Sequence, residues 1–386
     1  MVVKSLHLSN FRNYASQELQ LPPGLVAFTG DNGQGKTNLL EAVCVLATTK
    51  SPLVERDREL IRWDEKSARL GAEIELPPPP NREADVRRLE YSWRVEGQKV
   101  EREMKVGGVP QSAVASWLGQ LQVISFFPHD LVLVTGEPEE RRRFLNLELG
   151  KIWPAYFSDI ARYRRALQQR NAFIKATYDN PNRRETEEKY GSLGELNRAL
   201  VSYGSRVLAA RSRFFAEIAP LLTETHQRLS GLEGPFEVEY LPGLSAWRRG
   251  DESDWSRLFL QSLERDHSDD FRRSSTQSGP HRDEFAFKLG GVDLRRYGSQ
   301  GQGRLAVLSL KIALAHWVRD TLGDDPILLL DDALSELDST RRELLLEEAK
   351  SFAQSVVTAT DATFLGEVAA HFRVSEGKVE PVLTTA

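Results

Sequence analysis

The chain has 386 residues, 40% of them hydrophobic and 28% charged, which is the composition of a folded globular protein with room for more than one compact unit. Its formal net charge of -5 excludes a polycationic protein, so any contact with nucleic acid must use a local basic surface. The single cysteine excludes an intrachain disulfide and a cysteine-cluster metal site, and no apolar run approaches the roughly 20 residues that cross a bilayer, so we expect a cytoplasmic protein without a membrane partner.

The N-terminal third predicts short strands, one helix and an antiparallel sheet. Val2–His7 and Leu25–Thr29 have the apolar content of strands, and apolar residues recur at helical spacing after Lys36. Between Arg69 and Val106 apolar and polar residues alternate between turn residues, which predicts an antiparallel meander. Gln122–Phe127 predicts one more strand.

The remainder predicts helices followed by a second α/β block. A long charged stretch from Thr135 to about Leu232 predicts helices. After it we expect strands and helices in this order: strand 234–241, helix 301–322, strand 327–330, helix 339–352 and strand 355–360. The chain is therefore predicted to be α/β, in three segments. Residues 1–125 and 233–386 form the two parts of one head with a mixed sheet and the meander, and residues 126–232 form a mostly α-helical second lobe.

Residues 30–37 match the full G-x-x-x-x-G-K-[ST] pattern of a phosphate-binding loop, or P-loop. The pattern requires a strand before the loop and a helix after it, and both are predicted here. The glycines let backbone N–H groups turn toward phosphate oxygens, and the helix directs its positive end at the same anion. We expect Lys36 on the β- and γ-phosphates and Thr37 on Mg²⁺. The candidate nucleotide contacts are Gly30, Asp31, Asn32, Gly33, Gln34, Gly35, Lys36, Thr37 and Asn38.

The apolar run Ile327–Leu330 ends in the carboxylate pair Asp331 and Asp332. A buried strand that ends in a carboxylate is the second element, Walker B, of a P-loop ATPase site. We expect Asp331 to hold Mg²⁺ through water and Asp332 to orient or deprotonate the attacking water. Asp331, Asp332 and Lys36 are thus the candidate catalytic residues. Without the P-loop, a strand-ending turn would explain the pair better.

Three further residues have roles that the sequence leaves open. Arg12 and Asn13 precede the P-loop strand and are candidates for nucleotide binding, although Arg12 suits a surface ion pair equally well. His281 follows a Gly-Pro turn and is compatible with a catalytic or a structural role.

Several stretches resemble the SMC-type DNA-repair ATPases, and among them the RecF family most. Together they extend over nearly the whole chain: residues 8–14, 30–42, 127–130, 136–145, 278–283, 297–302 and 331–338. The resemblance implies an ABC-type P-loop ATPase head that binds ATP and Mg²⁺.

The resemblance also implies that Ser299, Gln300, Gly301 and Gln302 form the ABC signature, which meets the γ-phosphate held by a second copy of the chain. A serine–glycine turn that opens a helix suits this role, because a helix N-terminus attracts anions. Without the P-loop the turn would be an ordinary helix cap. Residues 335–338 similarly resemble the D-loop at the seam of such a dimer.

The chain departs from the usual ABC pattern at three points. Asp332 replaces the usual glutamate, residues 358–361 occupy the place of the switch histidine, and the expected Q-loop glutamine is missing near residues 126–130. We therefore expect slow hydrolysis that acts as a timer on a dimer rather than as a motor.

The charge is distributed unevenly along the chain. Between Arg141 and Lys189 there are 12 Lys and Arg residues against 6 Asp and Glu residues. Such a cluster binds phosphates without sequence preference, although a solvated helix face with ion pairs explains it more simply if the resemblance is set aside. The candidate DNA contacts are Arg141, Arg142, Arg143, Arg162, Arg164 and Arg165.

The resemblance predicts an ATP-dependent DNA-binding clamp of recombinational repair. ATP would drive homodimerisation and binding to duplex DNA or single-strand/duplex junctions, and recombination mediator proteins would be partners. The alternatives are an ATPase subunit of a transport or nuclease complex, and a scaffold that binds ATP without hydrolysing it. The 10–14 and 278–283 motifs argue against transport, and the lack of a second acidic cluster in the sequence argues against a nuclease.

Overall fold

The computed structural model describes residues 1–77, 85–179, 190–231, 235–251, 254–363 and 365–382. The chain divides into two compact units. The first unit combines Met1–Leu131, Glu224–Glu233 and Gln300–Ala386, and the second combines Val132–Thr223 and Gly234–Ser299.

The strands are β1 (Val2–Phe11), β2 (Tyr14–Gln20), β3 (Gly24–Thr29), β4 (Ser67–Glu75), β5 (Val86–Glu96), β6 (Lys99–Val106), β7 (Val109–Pro110), β8 (Val123–Phe126), β9 (Phe236–Leu241), β10 (Glu284–Leu289), β11 (Val292–Asp293), β12 (Ile327–Leu330), β13 (Gln354–Ala359), β14 (Ala370–Ser375) and β15 (Lys378–Pro381). The helices are α1 (Lys36–Thr48), α2 (Val114–Trp117), α3 (Val132–Thr135), α4 (Pro138–Ile152), α5 (Pro154–Asp179), α6 (Leu193–Ser230), α7 (Trp255–Arg265), α8 (His267–Arg272), α9 (Leu294–Tyr297), α10 (Gln300–Leu322) and α11 (Ser339–Lys350).

The first unit contains two six-stranded sheets. One has the order β2-β1-β4-β5-β6-β7 and is antiparallel throughout, which confirms the meander. The other has the order β15-β14-β3-β13-β12-β8 and is parallel except for the β14–β15 pair, which confirms the mixed sheet. Strands β12 and β13 are buried along their whole length, as inner strands of a parallel sheet are, and β12 is apolar throughout.

Helix α1 lies against both sheets of the first unit. It contacts β1, β4 and β5 of the antiparallel sheet and β8 and β13 of the mixed sheet. Every residue from Leu39 to Thr48 is buried, so the helix is apolar on nearly all sides. This packing fixes the start of α1, and with it the P-loop, at the carboxyl end of β3.

The second unit combines helices with the three-stranded sheet β11-β10-β9. The structure thus differs from the predicted boundaries, because residues 234–299 group with the helical lobe and not with the head. Buried ion pairs give the physical reason: Arg141 with Glu284, Arg170 with Asp270, and Arg211 with Asp283. Each pair joins a helical residue to the later segment, and its separation would leave a charge buried without compensation.

Candidate nucleotide site and basic surface

The P-loop follows β3 directly and leads into α1. Gly30, Gly33 and Gly35 have φ of 148°, 79° and 114°, in the region where a side chain causes strain, so glycine is required. The Lys36 ammonium lies inside the loop, where Nζ donates to the carbonyl oxygens of Gly30 at 2.5 Å and Asp31 at 2.9 Å. The loop therefore places a positive charge where phosphate oxygens bind.

Residues beside the loop hold its backbone in place. Asn13 Nδ2 donates to the Gln34 carbonyl at 2.9 Å, and Tyr14 Oη donates to the Gly35 carbonyl at 3.0 Å. Asn38 Nδ2 donates to Asn13 Oδ1 at 2.8 Å. Asn13 and Asn38, both predicted to contact nucleotide, thus act here on the loop itself.

Arg12 forms the ion pair that the sequence left open. Its guanidinium makes two hydrogen bonds with the buried carboxylate of Glu41, at 2.7 and 2.6 Å, and a third with the Glu59 carbonyl at 2.9 Å. All three guanidinium nitrogens donate within the protein. A bidentate pair with a buried carboxylate is strongly oriented, so the ion-pair alternative for Arg12 is present in the structure, while its contact with nucleotide stays a prediction.

The two halves of the predicted site lie together. Thr37 Oγ1 donates to the Asp331 carboxylate at 2.9 Å, and Thr358 Oγ1 donates to Asp331 Oδ1 at 2.8 Å. Burial raises the pKa of the Asp331 carboxyl, while the hydrogen bonds from Thr358 and Thr37 lower it. The strand end and the P-loop thus meet as the motifs predict.

Asp332 is held mainly through its backbone. Its φ of 48° lies in the left-handed region, its N–H donates to Thr358 Oγ1 at 2.9 Å, and its carbonyl accepts from Arg304. Ser335 Oγ donates to Asp332 Oδ2 at 3.1 Å. Burial lowers the pKa of the Lys36 ammonium, and the negative charge of Asp332 opposes this most. The catalytic candidates Lys36, Asp331 and Asp332 therefore share one electrostatic environment.

The oxygen donors at this site suit Mg²⁺. Magnesium is a hard cation that usually takes one or two protein oxygens and completes its shell with water and phosphate oxygens. The Thr37 hydroxyl and the Asp331 carboxylate supply such oxygens within contact distance. Within the described part of the chain, no group of three or more His, Cys, Asp or Glu side chains forms a metal cage.

The predicted signature lies at the start of α10. Ser299, Gln300 and Gly301 are exposed there, while the helix is buried from Gly303 to Ala315. Arg304, one turn further on, pairs with Glu336 at 2.8 Å. The signature thus presents a helix N-terminus at the surface while its helix is anchored inside.

Comparisons with known proteins decide the family. The model of the RecF/RecN/SMC N terminal domain family matches residues 2–380. The DNA replication and repair protein RecF of Shouchella clausii is 34% identical over 384 residues, covering 98% of this chain and 99% of that protein. RecF of Chloroflexus aurantiacus is 37% identical over 398 residues, with the same shares covered.

The chain belongs to the RecF family. Both of these relatives are DNA replication and repair proteins by name.

Solved structures agree with this assignment to the RecF family. A structure described as the recombination mediator protein RecF-ATP of the RecFOR pathway has a TM-score of 0.85 and 27% identity, and covers 99% of this chain and 97% of that one. An Smc head bound to the C-winged helix domain of ScpA has a TM-score of 0.56 at 16% identity, over 100% and 98% of the two chains. The second likeness shows a shared fold, and the predicted ABC/SMC-type head is thereby confirmed.

The basic stretch of this RecF-family chain divides into buried and exposed arginines. Arg141 is 2% exposed and binds Glu284 and the carbonyls of Leu133 and Gly136. Arg142 is half-buried and donates to the Asp283 carbonyl at 3.2 Å. The guanidinium of Arg141 is used inside the protein, which is a correction to its predicted DNA contact, whereas the DNA contact of Arg142 stays a prediction. The remaining candidates are exposed: Arg143, Arg162, Arg164 and Arg165.

Four arginines of α5 and α6 are exposed, and we call them together the arginine ridge: Arg162, Arg165, Arg198 and Arg206. The guanidinium carbons of Arg162 and Arg206 lie 5.8 and 5.1 Å from the ring centroid of Tyr203, within the range of cation–π contacts. Arg206 also pairs with Asp159 at 2.8 Å. These contacts orient the guanidinium groups of Arg162 and Arg206 at the surface of the second unit.

The 278–283 motif of this family has a structural role in the chain. Asp283 is fully buried and accepts hydrogen bonds from Arg211, Tyr240 and the backbone of Gly243. His281 is enclosed in the same region, and burial lowers its pKa to about 4. The structural interpretation of His281 is the one that this geometry favours.

Sequence reasoning misses three contributors to the site. The sequence marks Thr358 only as occupying the place of a switch histidine, and it gives no sign of Arg304 or of the β14–β15 hairpin. In that hairpin the Glu376 N–H donates to Gln34 Oε1 at 2.7 Å. These residues act through hydrogen bonds across long sequence separations, so no local pattern marks them.

Among the described residues, no helix combines the length and the apolar composition needed to cross a membrane.

Proposed function

We propose that this RecF-family chain is an ATP-dependent DNA-binding clamp of recombinational DNA repair. ATP binding pairs two copies, the pair holds duplex DNA or a single-strand/duplex junction, and slow hydrolysis releases it. The observation that carries the proposal is the contact of Thr37 with Asp331, which joins the two halves of a P-loop ATPase site across 294 positions of sequence. The solved relatives described as RecF-ATP and RecF-ATPrS support ATP as the nucleotide.

The residues of the site have distinct tasks in this proposal. Lys36 and the N-terminus of α1 bind the β- and γ-phosphates. Thr37 and Asp331 would hold Mg²⁺, which neutralises charge on the phosphate oxygens when bound. Asp332 orients the attacking water. Its short side chain, turned toward Ser335, supports slow rather than rapid turnover.

The exposed signature supports pairing of two copies. Ser299, Gln300 and Gly301 present a helix N-terminus that suits the γ-phosphate bound by the partner copy. Because a nucleotide shared by two copies prefers the dimer, ATP must promote pairing and pairing must strengthen ATP binding by the same factor. The D-loop residues Ser335 and Glu336 belong to the same surface in this proposal.

The arginine ridge, with Arg143 and Arg164, supports DNA binding without sequence preference. Arginines that lie on a ring face and a carboxylate are partly ordered before binding, so less side-chain entropy is lost when phosphates arrive. Recombination mediator proteins are the proposed partners, in keeping with the RecFOR description of the solved relatives.

Light scattering and DNA binding with ATP, ADP or no nucleotide test the proposal. The wild-type chain should pair and bind duplex DNA only with ATP. Lys36→Met should lose ATP binding and stay monomeric, and Asp331→Asn should bind nucleotide with a weakened response to Mg²⁺. Ser299→Arg should bind ATP yet fail to pair.

Ser16→Arg is the matched control for the signature variant, because it adds the same side chain at an exposed serine of β2. It should pair as the wild type does. ATP-driven pairing of Ser299→Arg, or equal DNA binding by the wild type with and without nucleotide, would contradict the shared-site proposal.

A further inference from the structure

Thr358 touches both carboxylate residues of the proposed ATPase site. It lies at the end of β13 and is fully buried. Its Oγ1 donates to Asp331 Oδ1 at 2.8 Å and accepts from the backbone N–H of Asp332 at 2.9 Å. One hydroxyl group thus connects a metal-ligand candidate with the residue proposed to orient the attacking water.

The Asp331 carboxylate accepts hydrogen bonds from two hydroxyl groups, those of Thr358 and of the P-loop residue Thr37. Thr37 Oγ1 donates to it at 2.9 Å. A hydroxyl has two lone pairs besides its one hydrogen, so Thr37 can bind a cation through a lone pair while its hydrogen stays on Asp331. The Thr358 hydroxyl is fully buried, so its task is to hold the carboxylate and not to bind the cation itself.

Asp332 depends on the same hydroxyl through its backbone. Its φ of 48° is costly for a residue other than glycine and persists only where the surroundings hold it. The N–H is held by Thr358, and the carbonyl is held by Arg304 and Ser335. Loss of the Thr358 hydroxyl would remove the hydrogen bond that holds the Asp332 N–H.

We propose that Thr358 is a positioning residue whose hydroxyl orients Asp331 toward Mg²⁺ and Asp332 toward the attacking water. This inference rests on the proposed function, because it assigns a further part to the same ATPase site. It also gives a role to the segment where other ABC ATPases carry the switch histidine.

Two substitutions at Thr358 and one elsewhere test the inference. Thr358→Val removes the hydroxyl at nearly constant volume, and Thr358→Ser keeps it. Thr48→Val is the matched control, because Thr48 is a buried threonine of the same unit whose hydroxyl bonds only backbone groups of Cys44 and Lys50 among the described contacts. The measurements are equilibrium binding of ATP over a range of Mg²⁺ concentrations, kcat and KM for ATP hydrolysis, and Tm without nucleotide.

Thr358→Val should need about 10- to 100-fold more Mg²⁺ for half-maximal ATP binding, since loss of a group that orients a metal ligand typically has this effect. Its kcat should fall by a similar factor, while ATP binding in EDTA stays unchanged. Thr358→Ser and Thr48→Val should follow the wild type in their Mg²⁺ response. If Thr358→Val is too unstable to measure, Thr358→Ala serves in its place.

A wild-type Mg²⁺ response in the variant without the hydroxyl, even with a lowered Tm, would overturn the inference. So would an equal loss in Thr358→Ser. A wild-type chain that neither binds nor hydrolyses ATP with Mg²⁺ would instead contradict the proposed function, so the two failures are distinguishable.

Discussion

His281 shows how the surroundings of one residue fix its protonation state. Its Nδ1 lies 2.6 Å from Tyr163 Oη and its Nε2 lies 3.0 Å from the Thr276 carbonyl oxygen. A neutral ring satisfies both contacts, with Nε2 donating and Nδ1 accepting. Burial accordingly lowers the pKa of His281 to about 4, below its ordinary value of 6.5.

This pKa predicts a loss of stability in mild acid. The unfolded chain takes up a proton at His281 near pH 6.5 and the folded chain only near pH 4, so the free energy of unfolding falls as the pH falls through this window. Between pH 7.5 and 5.5 the loss should be about 1.3 kcal/mol. Urea unfolding of the wild type and of His281→Gln at the two pH values measures it. Equal pH dependence in both proteins would contradict the prediction.

The type of a residue predicted its chemical role better than it predicted which partners the side chain has in the fold. Lys36, Thr37 and Asp331 could be assigned from the sequence because the P-loop and the strand-ending carboxylate form local patterns. Arg141 and Arg12 could not, because each meets its carboxylate partner, Glu284 or Glu41, far along the chain. The charge of an arginine is visible in a sequence, whereas the carboxylate that neutralises it is visible only in the fold.

The β14–β15 hairpin supports the P-loop from one side. Gly377 in its turn has a φ of 72°, and a Cβ there would lie 2.6 Å from the Asn13 carbonyl oxygen. The Gly377 N–H donates to the Gln34 carbonyl at 3.3 Å. The turn therefore requires glycine both for its conformation and for its close approach to the loop.

Gly377→Ala should lower the free energy of unfolding by about 3 kcal/mol, from backbone strain and overpacking together. It should also weaken ATP binding, because the hairpin positions Gln34. Gly97→Ala is the matched control: Gly97 lies in the β5–β6 turn at a φ of 61°, where an added Cβ would meet open space. It should cost about 1 kcal/mol and leave ATP binding unchanged. Equal losses in both variants would show that the hairpin does not act on the loop.

Elements with strong local patterns were predictable, and those defined by pairing were not. The strand–loop–helix of β3 and α1, the meander and β12 follow from periodicity. Strands β2 and β14 are short and mixed in polarity, and they form because β1 and β3 offer them an edge. Such strands lack a clear period of two, so their existence depends on tertiary partners.

At the scale of the whole molecule, the arginine ridge predicts that the affinity for DNA depends on salt concentration. In the double variant Arg162→Glu and Arg165→Glu, log K for DNA should fall less steeply with log salt concentration. The magnitude of the slope should decrease by about 2, because each lost phosphate contact removes about 0.9. Duplex binding in ATP over a salt series measures this slope. ATP binding should not change.

Arg257→Glu with Arg272→Glu provides the matched control, since it reverses the same charge at exposed arginines of α7 and α8. If this control lowers the slope as much as the ridge variant does, DNA binding follows the net charge and not the ridge.

The division into units was only partly accessible from the sequence. A helical lobe between two α/β segments could be predicted from the change in periodicity. The return of residues 234–299 to that lobe could not, because it depends on buried pairs between distant residues, such as Arg211 with Asp283.

The left-handed backbone of Asp332 bears on the choice of a variant that binds ATP without hydrolysing it. Asparagine tolerates this conformation at least as well as aspartate does, whereas glutamate gains no local hydrogen bond that offsets the strain. The substitution Asp332→Glu would thus distort the turn instead of accelerating hydrolysis. Asp332→Asn is the substitution that removes the charge while keeping the backbone conformation.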